Sequence, residues 1–136
     1  MNILSKGAGD KVMSQLEKRI LCVDDDVESC KFLEFMLGNS NEEYNVISAH
    51  SSKEAVELIE TESFDLYILD NWMIDFSGVQ LCSLIRLSNK QTPILFFSGA
   101  ARQTYRDEAI SAGANEYLIK PNDLGRIEDT VRSLLK

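Results

Sequence analysis

Three consecutive acids, Asp24-Asp25-Asp26, follow the apolar run Ile20-Leu21-Cys22-Val23, and a fourth, Asp70, follows a second apolar run that ends at Leu69. Ser98 and Lys120 end two more such runs. Two carboxylates about 4 Å apart repel by roughly 4 kcal/mol at an effective dielectric of 20, so crowding Asp24, Asp25 and Asp70 demands a cation or protonation. Oxygen donors without His or Cys select a hard divalent ion; a cleft of carboxylates, waters and a phosphoryl oxygen suits Mg²⁺, with Mn²⁺ as the alternative. Beside such an ion a strand-end carboxylate can act as a nucleophile toward phosphorus while a lysine and a hydroxyl hold the transferring oxygens. Asp70, Lys120 and Ser98 match those three parts. Singly, each has a plainer reading: an N-cap cluster for Asp24 to Asp26, a turn residue for Asp70, a cap for Ser98 and a solvated charge for Lys120. Only their combination favours the chemistry.

Whether they combine depends on the elements between them. After a polar tail over residues 1–18, with a faint helical hint in Asp10 to Lys18, short apolar runs alternate with segments of helical period. The runs are Ile20 to Val23, Tyr44 to Ala49, Phe64 to Leu69, Ile94 to Phe97 and Tyr117 to Ile119. Between and after them, Phe32, Leu33, Met36 and Leu37 mark a helix face that stops near Gly38-Asn39, where left-handed backbone is cheap. Ser51 and Glu54 have capping-box spacing, Gly113 closes a helix over Arg102 to Ala112, and Leu124, Ile127, Val131 and Leu134 mark the last amphipathic helix. Helix-sized gaps exclude hairpins and fit crossover units, and strands covered on both faces need no polar alternation. The expectation is a three-layer α/β sandwich around a five-stranded parallel sheet. Asp24, Asp70, Ser98 and Lys120 then share the C-terminal edge, where ligands of open parallel sheets bind.

Composition narrows the rest. At 136 residues the chain is one domain that buries roughly 65–70% of its unfolded surface without disulfides or a structural metal. Cys22, Cys30 and Cys82, odd in number and set among apolar residues, read as reduced core thiols, which points to the cytoplasm. The longest charge-free stretch, Gln91 to Ala101, is 11 residues, too short for a membrane span. A net charge of −8 disfavours nucleic acid. The single histidine, His50, excludes two-His zinc sites and reads as a surface loop residue at the end of strand two, away from the acid edge. The only G-x-G, Gly7 to Gly9, lies in the tail with no strand before it.

The chain resembles the receiver domains of two-component response regulators, through Ile-Leu-Cys-Val-Asp-Asp-Asp at 20–26, Asp70-Asn-Trp-Met with Gly78, Ser98-Gly99-Ala100, and Tyr117-Leu-Ile-Lys-Pro at 117–121. The resemblance implies a receiver domain over residues 19–136 with flavodoxin-like strand order 2-1-3-4-5. It implies Asp70 as phosphoacceptor, Mg²⁺ on Asp24, Asp25, Asp70 and the backbone carbonyl of Trp72, phosphoryl contacts from Lys120 and Ser98, and Ser98 and Tyr117 as switch residues. A cis peptide between Lys120 and Pro121 follows from it as well. Ile74, Trp72 and Gly99 are not the family's usual residues at their positions.

The function so implied is a stand-alone phosphorylatable switch, since the last helix ends at Lys136. It would take its phosphoryl group from a histidine kinase or phosphotransfer protein, alter its binding to a downstream protein, and turn over no separate substrate. Alternatives are an adaptor with a vestigial site, which the complete residue set disfavours, and a dehalogenase-like phosphohydrolase, which needs an acid where Trp72 stands. A flavodoxin-like flavin protein would have to hold a phosphate against three acids. Trp72 and Ala100 flank the expected path of water to phosphorus, so a Trp72 ring folded over the site would slow hydrolysis, whereas an outward one would be a partner contact. Tyr105 and the tail are further candidate contacts.

Overall fold

A computed structural model describes residues 17–136. The tail reading of residues 1–16, including most of the helical hint and the G-x-G, lies outside the described residues. Lys18, assigned to that tail, is instead the first residue of a strand. The elements alternate as β1 (Lys18–Val23), α1 (Val27–Gly38), β2 (Tyr44–Ala49), α2 (Ser52–Thr61), β3 (Leu66–Leu69), α3 (Gly78–Ser88), β4 (Ile94–Ser98), α4 (Gln103–Ala112) and β5 (Glu116–Ile119). A 3-10 turn at Leu124–Arg126 then leads into α5 (Ile127–Leu134). All neighbouring strands pair in parallel, in the order β2-β1-β3-β4-β5.

Residue parity divides the core. Leu21, Val23, Tyr67, Leu69, Ile94, Phe96 and Tyr117 face one layer with Ala55, Leu81, Ile85 and Ala109 of α2, α3 and α4. Ile20, Cys22, Leu66, Ile68, Leu95, Phe97 and Leu118 face the other, with Leu33, Leu37, Ile127 and Val131 of α1 and α5. Strands buried on both sides account for the unbroken apolar runs. All three cysteines are free and buried, as core fillers would be, with Cys22 and Cys30 Sγ atoms 3.7 Å apart and Cys82 pushed up to about 11 by burial.

Local expectations for α1 need correction. Its inner face is Cys30, Leu33 and Leu37, spaced three and four apart, whereas Phe32 lies off that stripe and is 45% exposed. Its end is not left-handed: Asn39 has φ −98° and closes the helix by returning its Nδ2 to Phe35 O at 2.7 Å. Among the described residues only Gly113, at φ 115°, is left-handed, and it ends α4 as expected. At α2, Ser51 Oγ accepts from Glu54 N, but the Glu54 carboxylate turns to His50 N, so the box is only half closed. A complete capping box instead opens α3, with Ser77 Oγ accepting from Gln80 N and Gln80 Oε1 from Ser77 N.

Candidate functional site

Because every strand is parallel, the residues that follow β1, β3 and β5 and the last residue of β4 meet at one edge. Asp24, Asp70 and Ser98 are buried there and Asp25 is half-buried. Asp24, Asp25 and Asp70 each offer one carboxylate oxygen, and these oxygens lie within 4.8 Å of one another. The acidic run is divided between two tasks. Asp26 caps α1, accepting from Glu28 N at 3.0 Å and Ser29 Oγ at 3.1 Å, while Asp24 turns inward and accepts from Asp26 N.

Lys120 reaches this cluster from the end of β5, with its ammonium 2.5 Å from Asp24 Oδ2, 4.0 Å from Asp70 Oδ2 and 5.5 Å above the Phe97 ring. The Lys120–Pro121 peptide is cis. Burial alone would lower the lysine's pKa, but the hydrogen bond it donates to Asp24 and the charges of Asp70 and Asp24 outweigh it and raise it. Asp70 moves up for the opposite reason: burial dominates, and the Ser98 hydroxyl and Lys120 offset it only in part. Among the described residues, Asp70 Oδ1 is buried without a hydrogen-bond partner.

An all-oxygen donor set, three converging carboxylates and an orphaned buried oxygen fit a hard divalent cation. One lysine cannot balance three carboxylates in a site of low dielectric.

Around the acids stand the other expected residues. Ser98 Oγ accepts from Ala100 N at 3.2 Å. Tyr117 is buried, stacks on Phe96 at 5.4 Å and donates its hydroxyl to Ala100 O at 2.6 Å, so it is turned inward beside the Ser98 loop. The Trp72 side chain is 56% exposed, yet its ring lies edge-on to Tyr105 at 6.0 Å and beside Gly99, where a Cβ would be 3.7 Å from Trp72 Cζ3. It therefore leans over the loop after β4 while keeping much of its surface in solvent.

His50 is a correction. It follows β2, whose end shares this edge and pairs beside β1, so its Nδ1 lies 3.1 Å from Asp24 O. That backbone hydrogen bond raises its pKa.

Two residues of the site carried no sequence signal. Asn71 is buried directly after Asp70. Asp75 ties the β3–α3 loop to the start of α2 by accepting from Ser52 N at 3.0 Å and Lys53 N at 2.8 Å. Gly78, a motif position in the sequence, has a packing reason: a Cβ there would collide with the backbone at Asp70 O and lie 2.9 Å from Asn71 Cα. Only a glycine lets α3 start this close to the acceptor strand.

Comparison with known proteins gives a consistent result. Residues 20–132 match the family model for the response regulator receiver domain. The chain is 35% identical over 116 residues to the transcriptional regulatory protein ZraR of Salmonella typhimurium, covering 85% of this chain and 26% of that protein. It is 34% identical over 119 residues to the response regulator protein PilR of Pseudomonas aeruginosa, covering 88% and 26%. Among solved structures it resembles the response regulator TrrA of Thermotoga maritima in complex with Mg(2+)-BeF, with TM-score 0.77, 30% identity and coverage of 87% and 99%. A putative response regulator from Chloroflexus aurantiacus gives TM-score 0.80 at 30% identity, covering 88% and 98%. The chain thus spans about a quarter of the two curated relatives, so the transcriptional role in ZraR's name belongs to a much longer protein.

Proposed function

The chain belongs to the response regulator receiver domain family, and from that membership we propose that it is a phosphorylatable signalling switch with Asp70 as its acceptor. The single observation that carries this reading is the buried Asp70 carboxylate, which has one oxygen without a hydrogen-bond partner among the described residues, the other 4.0 Å from the Lys120 ammonium, and two further carboxylates beside it. A phosphohistidine on a histidine kinase or phosphotransfer protein is the donor the chemistry suits. A carboxylate oxygen of Asp70 bonds to phosphorus, the P–N bond breaks, and the departing imidazole nitrogen keeps the electron pair and takes up a proton. Asp24, Asp25, Asp70 and the Trp72 carbonyl would hold Mg²⁺, which when bound neutralises charge on the transferring oxygens.

The protein's own groups do the rest. Lys120 supplies a fixed positive charge beside Asp70, and burial excludes competing water. Ser98 offers a hydroxyl to a phosphoryl oxygen once its loop moves inward, and Tyr117, bonded to that loop through Ala100, follows. The surface of α4, β5 and α5 around Tyr117 would then bind a downstream protein differently. The receiver family consists of signalling switches, and on this reading the chain takes up and loses its own phosphoryl group. Among the described residues no helix is long and apolar enough to cross a membrane, and the reduced, buried thiols suit the cytoplasm. Incubation with acetyl phosphate tests the reading: an acid-stable, base-labile phosphoryl adduct should form with Mg²⁺ and fail to form with chelator, and no adduct under either condition would refute it.

A further inference from the structure

A pair of aromatic rings joins the β3–α3 loop to α4. The Trp72 ring meets that of Tyr105, in the first turn of α4, edge-on at 6.0 Å with an interplanar angle of 87°. This is a favoured arrangement, with the positive edge of one ring against the negative face of the other. The same indole lies along the chain that leads from Ser98 into α4, since a Cβ on Gly99 would be 3.7 Å from Trp72 Cζ3. Tyr117 holds that chain from within by donating its hydroxyl to Ala100 O at 2.6 Å.

The tryptophan's own loop is pinned on both sides of it. Asn71 O and Oδ1 accept from Gly78 N and Val79 N, and the Asp75 carboxylate accepts from Ser52 N and Lys53 N. Trp72 stands between these two residues, with its backbone carbonyl proposed as a Mg²⁺ ligand and its ring on Tyr105. Tyr105 is half-buried against the core layer that contains Ala109 and Tyr117. The side chains of Asp26, Ser51 and Ser77 cap α1, α2 and α3, whereas Arg102 makes no side-chain cap at α4. The first turn of α4 therefore depends on packing, and Trp72 is part of that packing.

We propose that Tyr105 is a positioning residue for Trp72: the ring pair clasps the β3–α3 loop to α4, so that Mg²⁺ at the Trp72 carbonyl and docking of the first turn of α4 stabilise each other. This rests on the reading of the Trp72 carbonyl as a metal ligand of the receiver site. Coupling between two sites is reciprocal, so a contact through which the ion steadies α4 also lets α4 strengthen the hold on the ion. A tyrosine that merely packs would affect the melting temperature and neither of these.

The test reads the ion and the helix separately, on the whole chain. Mg²⁺ affinity is measured by calorimetry, and amide hydrogen exchange of residues 99–106 is followed with and without saturating Mg²⁺ in the absence of any phosphodonor. In the unmodified protein Mg²⁺ should slow exchange across this stretch about threefold, in keeping with the strength of one aromatic pair. Tyr105→Phe keeps the ring and should behave the same. Tyr105→Leu should lose the exchange response and bind Mg²⁺ about threefold more weakly. Trp72→Leu, which keeps the backbone carbonyl, should lose the exchange response as well. Thr104→Ala, at an exposed position of the same turn, should keep both the response and the affinity. The inference falls if Tyr105→Leu keeps the exchange response or the full Mg²⁺ affinity, or if Thr104→Ala loses them, since the turn and not the ring would then be what matters. Should Tyr105→Leu fail to fold in a thermal melt, Trp72→Leu decides, and an exchange response retained there overturns the clasp. Mg²⁺ that raises the melting temperature of the unmodified protein without slowing exchange at 99–106 sinks the clasp alone; Mg²⁺ that does neither sinks the metal reading with it.

Discussion

The Lys120 ammonium lies 2.5 Å from Asp24 and 4.0 Å from Asp70, so the lysine is held mainly by a proposed metal ligand and stands off the proposed acceptor. It neutralises part of the carboxylate cluster and keeps Asp70 free.

Lys120→Met should therefore leave three carboxylates without their counter-charge and lower stability in chelator by about 2 kcal/mol, somewhat below the usual loss for a fully buried pair because the lysine remains 23% exposed. Mg²⁺ at one hundred times its dissociation constant should stabilise the unmodified protein by about 2.7 kcal/mol. The variant should gain more, since the ion also relieves the repulsion that Lys120 no longer screens. Equal Mg²⁺-induced shifts in thermal melts would contradict this role.

Asp70 makes the opposite prediction about pH. Its folded pKa is raised, chiefly by burial, so between the ordinary carboxylate value and the raised one the folded state binds more protons than the unfolded state. Stability from this group then falls as pH rises through that window, and ionised Asp70 is a net cost at neutral pH. Asp70→Asn should melt higher than the unmodified protein at pH 7 in chelator, with the gap closing on acidification toward the ordinary carboxylate pKa. A gap that widens on acidification would reverse the sign.

Gly78→Ala tests the closeness of α3 to the acceptor strand. The added Cβ would meet backbone atoms of Asp70 and Asn71, which cannot rotate away. Overpacking of this kind costs about 3 kcal/mol. Chemical denaturation should show that loss, whereas Gly125→Ala, with open space around it, should not.

Trp72 bears on the lifetime of an aspartyl phosphate. Its ring lies beside Gly99 and Tyr105; the receiver resemblance implies that it flanks the path of water to phosphorus, and an indole cannot act as a base. Trp72→Asn should shorten the lifetime several-fold, corresponding to about 1 kcal/mol in the barrier. An unchanged decay rate, read by loss of the adduct over time, would assign the exposed face of Trp72 to partner contact instead.

The parallel sheet was legible because strands buried on both faces, such as Leu66 to Leu69 and Ile94 to Phe97, must be apolar throughout. The acid cluster was legible because its members sit where those runs stop. What could not be read depends on contacts between distant segments. Phe32 looked like a core residue because hydrophobicity alone does not say which stripe of α1 faces the sheet, and His50 looked remote because its closeness to Asp24 arises from the pairing of β1 with β2. Asn71 and Asp75 are polar loop residues whose partners lie on other elements, Ser98 and Val79 for one and Ser52 and Lys53 for the other.

The most direct test is where a phosphoryl group goes. The protein and its Asp70→Ala variant, both shown to be folded by thermal melt, would be incubated with acetyl phosphate and Mg²⁺, trapped by borohydride reduction, digested and mapped by mass spectrometry. One modification on the peptide containing Asp70, present in the unmodified protein and missing from the variant, is the expected result. An unmodified protein that remains unlabelled, or a label that persists in Asp70→Ala, would contradict the assignment of Asp70 as acceptor.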